Sequence, residues 1–424
     1  MKIIKYLSIS VISVCVSSHV FASNNDEFEK FMGEDSRSNY AINYTDYDAI
    51  LKTFVMPMGK SSRAQAKSSK ASVGTRLKNN TNKLTALEGN RFLFEAFKDK
   101  EYKQLISDIR LSLEAIPDQM PLSAFNKEEQ LAYWLNLYNI TMLDELNKQY
   151  PVKKLKDLFD DDSFMAQDIL TVSGVKLSLN DIQYHILAKK YDHDPLIIYG
   201  LYQGIIGSPN LKNRAYTGDN VYEELTDNAV NFVNSNRGTY GKNKKAFRVS
   251  SWYKRNEMFF PDFNEDLRAH LLKHLEGYTR YELEDAKRIK ANINNWNITD
   301  VYGTVRQYGG GVATNQAALL DPYGGPEITG EQLHFDGEVL TSRPTGPRAG
   351  GDAGNAGFQD VARLSMAELA GHNGRFSIEQ MNWLKKLNAL RLEHSGIVTI
   401  TDIESDEEAS DNKDDALLDD SKSN

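Results

Sequence analysis

His270 and His274 stand four residues apart in a stretch of helical composition, a spacing that turns two imidazoles to one face where they could bind a metal. No third ligand is evident beside them, so the pattern does not define a metal centre and no metal is expected. Asp160-Asp161-Asp162 places three carboxylates together but lacks the glycine and closing glutamate of a calcium loop, and reads as a solvated turn. Ser208 lies in Gly207-Ser208-Pro209, a turn that serine and proline favour for backbone reasons, and no G-x-S-x-G elbow surrounds it. Gly309-Gly310-Gly311 has the glycine density of a phosphate loop without the strand before it or the helix after it. Cys15 is the only cysteine. If it leaves with a leader, the mature chain has no disulfide, thiolate nucleophile or cysteine metal site, and no cofactor is implied.

The leader is residues 1–22. Lys2 and Lys5 form a positive start, Leu7 to Val16 an apolar stretch, and Val20-Phe21-Ala22 the small residues of a cleavage site before Ser23. The apolar run is short of the ~20 residues that span a bilayer, so no stable membrane span is expected after cleavage. Ile12-Ser13-Val14 also lacks the small residue that precedes a lipidated cysteine. The expected location is exported, periplasmic or secreted.

The chain has 424 residues and a formal charge of −9. That acidity argues against nucleic acid and against an anionic membrane surface as partners. The charge is unevenly placed: the leader contributes +2 and residues 401–424 contribute −8, leaving −3 for residues 23–400. The bulk argument therefore weakens for the body, and absence of nucleic-acid binding rests on export and missing motifs.

The elements that would position any chemistry follow from periodicity. Ser23 to about Tyr40 is polar and acidic and reads as a frayed start. Tyr47 to Phe54 is periodic, and residues 59–84 read as basic, solvated and mobile. Helical spacing resumes at Phe92, Phe94, Phe97, Leu105, Ile109, Leu111 and Leu113. Gln130 to Leu143 is apolar nearly all round, the mark of a buried helix. Asp168–Val172 and Val175–Leu177 about Ser173-Gly174 predict a hairpin. Ser178–Tyr191 and Val221–Val233 predict helices, with Leu196–Leu201 a strand or helix turn. Thirteen glycines between Gly303 and Gly357 mark a linker or arm. Capping boxes at Ser365 and Ser377 begin a helical pair, and the acidic run from Thr401 reads as a disordered tail.

Several motifs in order resemble a known family. Leu131-Ala-Tyr-Trp-Leu-Asn-Leu-Tyr-Asn139 resembles the "AfWiNlYNa" signature of the domain of unknown function 547 family, found in bacteria and plants. Leu177-Ser-Leu-Asn-Asp-Ile182, Asp194-Pro195, Gly207-Ser208-Pro209-Asn-Leu211, Ala215-Tyr216, Trp252-Tyr253 and Asn294–Asp300 follow in the family's sequence. The resemblance covers Tyr44 to Gly303 and brings no established activity. It implies a polar constellation that many members carry: Glu-His after "SLxDI", Arg and His near "DPRIHF", and cysteines at the "CP" turn. Thiol beside imidazole would suit nucleophilic chemistry. Here Gln183 and Tyr184 stand for Glu-His, Leu196 and Ile198 for Arg and His, and Gln203 and Ser208 for the cysteines.

Together these readings predict an α+β fold: a helix-rich single main domain with a few short strands, residues 44–303. A Gly/Pro-rich linker (304–358), a helical pair (359–400) and a disordered acidic tail (401–424) would follow it. The function expected is a non-catalytic binding or scaffold protein, its partner a protein or an exported polymer. Asn136, Asn139, Gln203 and Ser208 are the residues that would line a ligand pocket, although for Asn136 and Asn139 hydrogen bonding to backbone across a packed interface is the preferred reading. The alternative is a hydrolase or acyltransferase using Ser208, Gln203, His185 and Tyr184.

Overall fold

One run of sequence is too apolar on every side for a surface helix, and the molecule is built around it. The computed structural model describes residues 25–65, 82, 84–85, 87–152, 154–159, 163–243, 246–301 and 399–402. In chain order, α1 (Asn25–Phe28) and a 3-10 turn, Glu29–Phe31, precede β1 (Tyr40–Asn43), α2 (Thr45–Phe54), β2 (Val55–Met56) and β3 (Arg91–Phe92). The 3-10 turn Phe94–Lys98 leads into α3 (Lys100–Gln119), and Leu122–Ala124 into α4 (Lys127–Gln149). Two 3-10 turns, Lys156–Phe159 and Phe164–Ala166, precede β4 (Leu170–Val172) and β5 (Val175–Leu177). A π-helical stretch, Asp181–Leu187, runs into α5 (Ala188–Lys190), followed by the 3-10 turn Ile197–Gly200 and α6 (Val221–Val233). Then come β6 (Thr239–Asn243), β7 (Ala246–Ser250), α7 (Ser251–Arg255), the 3-10 turn Glu257–Phe259, α8 (Phe263–His274), α9 (Gly277–Glu284), β8 (Ile289–Ile293) and β9 (Thr399–Asp402).

The fold is α+β, as the sequence predicts. Among the described residues helices surround four small sheets: β1 with β9, β2 with β3, the β4–β5 hairpin, and β6-β7-β8, in which β7 and β8 run parallel. The hairpin turn is at Ser173-Gly174, both at positive φ (49° and 75°). That backbone suits a tight two-residue connection between right-twisted strands.

Helix α4 is the axis. The Asn126 side chain accepts from the Glu129 amide at 2.8 Å and caps it, and Glu128 and Glu129 sit favourably in its first turn. It ends at Tyr150, whose extended backbone is what the following Pro151 demands. Between those limits nearly every side chain is buried, from Glu129 to Leu146. Helix α3 packs along it, joined by Ser107 Oγ donating to Asp144 Oδ1 at 2.9 Å and by Arg110 facing Asp144 at 3.0 Å.

Several expectations are corrected. The start is not frayed from Asn25 onward: Phe31 lies edge-on to Trp134, ring centres 5.1 Å apart. The buried Lys190 ammonium donates to the carbonyls of Phe31, Met32 and Gly33, a clamp that matches its three N–H donors. Phe92 to Leu113 is not one helix but strand, 3-10 turn and helix, because the aromatic trio Phe92, Phe94 and Phe97 packs on itself and on Phe54. In the 59–84 stretch, Arg63 is packed rather than solvated, donating to Thr239 O at 2.8 Å and Val233 O at 3.2 Å. The predicted Ser178–Tyr191 helix begins at a reciprocal Ser178–Asp181 cap but takes the wider π winding.

Ile400 and its neighbours, placed by sequence between helical pair and acidic tail, form β9 and pair antiparallel with β1, Ile42 opposite Ile400. The leader, the glycine-rich arm, the capping boxes, Asp160–Asp162 and the tail beyond Asp402 lie outside the described residues. No helix among the described residues is long and apolar enough to cross a membrane. Strand β9 covers the edge of β1, and removing it should be felt. A chain ending at residue 398 should melt a few degrees below one ending at 403, consistent with about 1 kcal/mol in a domain of this size. Equal melting temperatures in a thermal scan would show the pairing to be unimportant.

Candidate functional site

The stretch from Tyr199 to Tyr216 is buried almost throughout yet mostly irregular, so its backbone donors and acceptors need partners other than a helix or ladder. Side chains supply many of them. Asn139 of α4 accepts from the Tyr202 amide at 2.9 Å and donates to Gly200 O at 2.9 Å. One turn earlier, Asn136 accepts from the Tyr216 amide at 3.0 Å and donates to Tyr216 O at 2.7 Å. The i, i+3 spacing puts both amides on one face of α4. Asn228 of α6 donates to Tyr199 O and Asn210 O and accepts from the Asn210 amide. Gly204, at φ 71°, has no room for a Cβ, which would lie 2.4 Å from Leu146 Cδ1.

Ser208 belongs to this framework. Its hydroxyl, fully buried, donates to Ile205 O at 2.9 Å, and its carbonyl accepts from Arg237 Nη1. Arg237 also donates to Asn210 Oδ1 at 2.8 Å and Asn231 Oδ1 at 3.0 Å, while Glu88 accepts from the Asn236 and Arg237 amides. Burial lowers Arg237 to about 10 against the pull of Glu88. Among the described residues the hydrogen bonds of Ser208 include no imidazole or carboxylate, the groups that would activate its hydroxyl.

A different set of residues converges on Arg255, at the end of α7. Tyr138 Oη donates to Gln183 Oε1 at 3.1 Å, and Gln183 Nε2 to Asn256 Oδ1 at 2.6 Å. Asn256 in turn donates to Trp252 O at 2.9 Å. Arg255 Nη1 donates to Ser251 Oγ at 3.0 Å and Nη2 to Gln203 Oε1 at 3.3 Å, while Tyr184 Oη donates to Arg255 O at 3.3 Å. The guanidinium lies 4.7 Å from the Trp296 ring centre, 4.8 Å from Phe159 and 5.5 Å from Trp252. Gln183, Gln203 and Asn256 form the buried floor, and Arg255, Tyr184, Phe159 and Trp296 remain partly open to solvent.

The structure thus brings Gln203 and Tyr184 together, with Gln183, and disperses the other predicted residues. Asn136 and Asn139 hold backbone, Ser208 faces Ile205, and His185 is exposed, stacked on Phe28 at 5.7 Å and 4.0 Å from Asp181. Burial pushes the phenols of Tyr138 and Tyr184 up, so both are neutral donors. Burial lowers Arg255 to about 10, still charged at neutral pH. A cluster of a cation, amides, phenols and the Ser251 hydroxyl can recognise polar or anionic groups, and among the described residues its hydrogen bonds include no imidazole or carboxylate. Sequence reasoning missed Arg255, because an arginine after Trp252-Tyr253 reads as a surface residue. Its one sequence cue is the separate conjunction of Trp252 and Trp296 in the matched motifs.

His270 and His274 do share a face of α8, with ring centres 4.8 Å apart, but they serve a buried aromatic cluster. Tyr199 Oη lies 2.9 Å from His270 Nε2 and 3.1 Å from Tyr253 Oη. Among the described residues no group of three His, Cys, Asp or Glu side chains could hold a metal ion. Burial, with His274 and Lys273 adding to it, lowers His270 to about 3. Unfolded, it would take up a proton near pH 6.5.

Two outcomes follow. The stability given by neutral His270 is complete above about pH 6.5 and falls as pH drops from there towards 3, with a slope up to about 1.4 kcal/mol per pH unit. Urea melts of H270F across that range should show a shallower acid slope than wild type; an unchanged slope would refute the assignment. Asn136→Ala leaves the Tyr216 amide and carbonyl without partners and should cost about 3 kcal/mol in the same melts.

Neither a curated protein nor a solved structure matches the chain. A family model does: residues 122–233, from the turn before α4 to the end of α6, match the family described as "Protein of unknown function, DUF547". This match holds the Asn136/Asn139 signature, the π-helical stretch and the buried irregular segment, and stops short of Arg255. Over that segment, about a quarter of its length, the chain is similar to the DUF547 family.

Proposed function

We propose that this protein is an exported, non-catalytic binding or scaffold protein built on a degenerate DUF547 domain. The observation that carries the reading is what fills the positions where the resemblance implies acid, imidazole and thiol. Gln183 is locked between Tyr138 and Asn256, Gln203 faces Arg255, and Ser208 is sealed against Ile205. None of these groups can take a proton from a nucleophile or act as a thiolate. Export rests on the leader of residues 1–22, and a protein or an exported polymer is the class of partner that location offers. The hydrolase alternative, with Ser208 attacking and His185 or Tyr184 assisting, would need those groups in contact. His185 instead stacks on Phe28, and Tyr184 bonds the backbone of Arg255.

The test is direct. The protein recovered from cells should begin at Ser23 by intact mass. Incubated folded with a fluorophosphonate, it should show no label on Ser208 by peptide mapping. A retained leader would contradict export, and stoichiometric labelling of Ser208 would contradict the non-catalytic reading.

A further inference from the structure

Arg255 differs from three other buried cations of the described residues. Lys190 faces three carbonyls and Glu34, Arg110 pairs with Asp144 and Glu114, and Arg237 is balanced by Glu88. Arg255 has no carboxylate partner among the described residues, and the phenols beside it, Tyr184 and Tyr138, are held neutral by burial and supply no counter-charge. A cation mostly removed from water without a counter-ion is costly, and proteins rarely keep one without use.

The geometry also says which edge is unsatisfied. Nη1 is taken by Ser251 Oγ at 3.0 Å, whereas among the described residues Nε is buried without an acceptor and Nη2 has only the long 3.3 Å bond to Gln203. Nε–H and Nη2–H are parallel donors, the pair that matches the two oxygens of a carboxylate. Trp296 and Phe159 lie close to the guanidinium and are themselves partly exposed. They offer an apolar surface to whatever carries the anion.

We propose that the Nε/Nη2 edge of Arg255 is a binding site for the carboxylate of a small organic acid, reached when the Gln203 side chain swings from that edge, with Trp296 and Phe159 receiving the apolar body. The proposal rests on the binding reading above in giving that reading its ligand class. It names a recognition step alone: the carboxylate replaces the Gln203 amide as acceptor, no bond is made or broken, and the charge buried at Arg255 is compensated.

Two of the four tryptophans, Trp252 and Trp296, lie on the Arg255 guanidinium, so tryptophan fluorescence reports on the site. The full mature chain is titrated with benzoate, acetate, inorganic phosphate and the neutral isostere benzamide at constant ionic strength. Saturable quenching or enhancement is expected with benzoate, at least tenfold weaker binding with acetate, and no saturation with benzamide. Arg255→Lys keeps the charge but loses the paired donors, and should weaken benzoate at least tenfold. Gln203→Ala removes the competing acceptor and should tighten it. Lys254→Ala, an exposed neighbour, should leave it unchanged. Saturation by phosphate without benzoate, equal response to benzamide, or weaker benzoate binding in a folded Gln203→Ala would overturn the proposal. Fluorophosphonate labelling of Ser208 would refute the non-catalytic reading while leaving this titration intact, so the two can fail separately.

Discussion

The fold depends on satisfying the backbone of a segment that is buried without being regular. Tyr199 to Tyr216 runs through the core between α4, α6 and the β6-β7-β8 sheet, where water cannot serve its amides and carbonyls. An isolated bond of this kind adds only about 1 kcal/mol, but an unpaired buried group costs about 1–3 kcal/mol, so the asymmetry dictates sequence. Asn136, Asn139 and Asn228 answer it because a carboxamide both donates and accepts and can close on a peptide group. Neighbouring backbone completes the work, with Thr299 N donating to Gly204 O and Gly207 N to Asn295 O.

That constraint separates two kinds of residue that a motif presents as one. The asparagines of the Trp134–Asn139 signature are framework, and so is Ser208, whose carbonyl is a rung of the Arg237 clamp. Gln183 and Gln203 are different: they point at side chains rather than backbone and meet at Tyr138 and Arg255. Neither glutamine carries the framework, because the backbone of the buried segment is satisfied by other residues. Beside Gln203 lies a cation, Arg255, with aromatic neighbours in Trp296 and Phe159.

The long helix α4 was legible because its apolar residues leave no polar face, and the β4–β5 hairpin because Ser173-Gly174 is turn chemistry between alternating residues. Arg255 and Lys190 were not. Each reads as a surface cation, and only the arrival of Trp296 and Phe159 on one, and of the Phe31–Gly33 carbonyls on the other, buries it. The Phe92–Leu113 periodicity misled because aromatic residues three apart suit a 3-10 turn as well as a helix. The π winding after Ser178 is silent in sequence, since its cap is the one an α-helix would use. Strand β9 was missed because Thr399–Asp402 abuts an acidic run whose composition dominates its local β-branched pattern.

The central claim is that signature asparagines hold a buried irregular segment closed. Amide hydrogen exchange at Tyr202 and Tyr216 tests it most directly, since each amide donates to one of those side chains. The account predicts that both exchange in the wild-type protein only through global unfolding, with the same free energy as the α4 amides. In Asn139→Ala, the Tyr202 amide should exchange through a local opening while α4 stays protected. Rapid exchange at Tyr202 and Tyr216 in the wild-type protein, beside a protected α4, would contradict it.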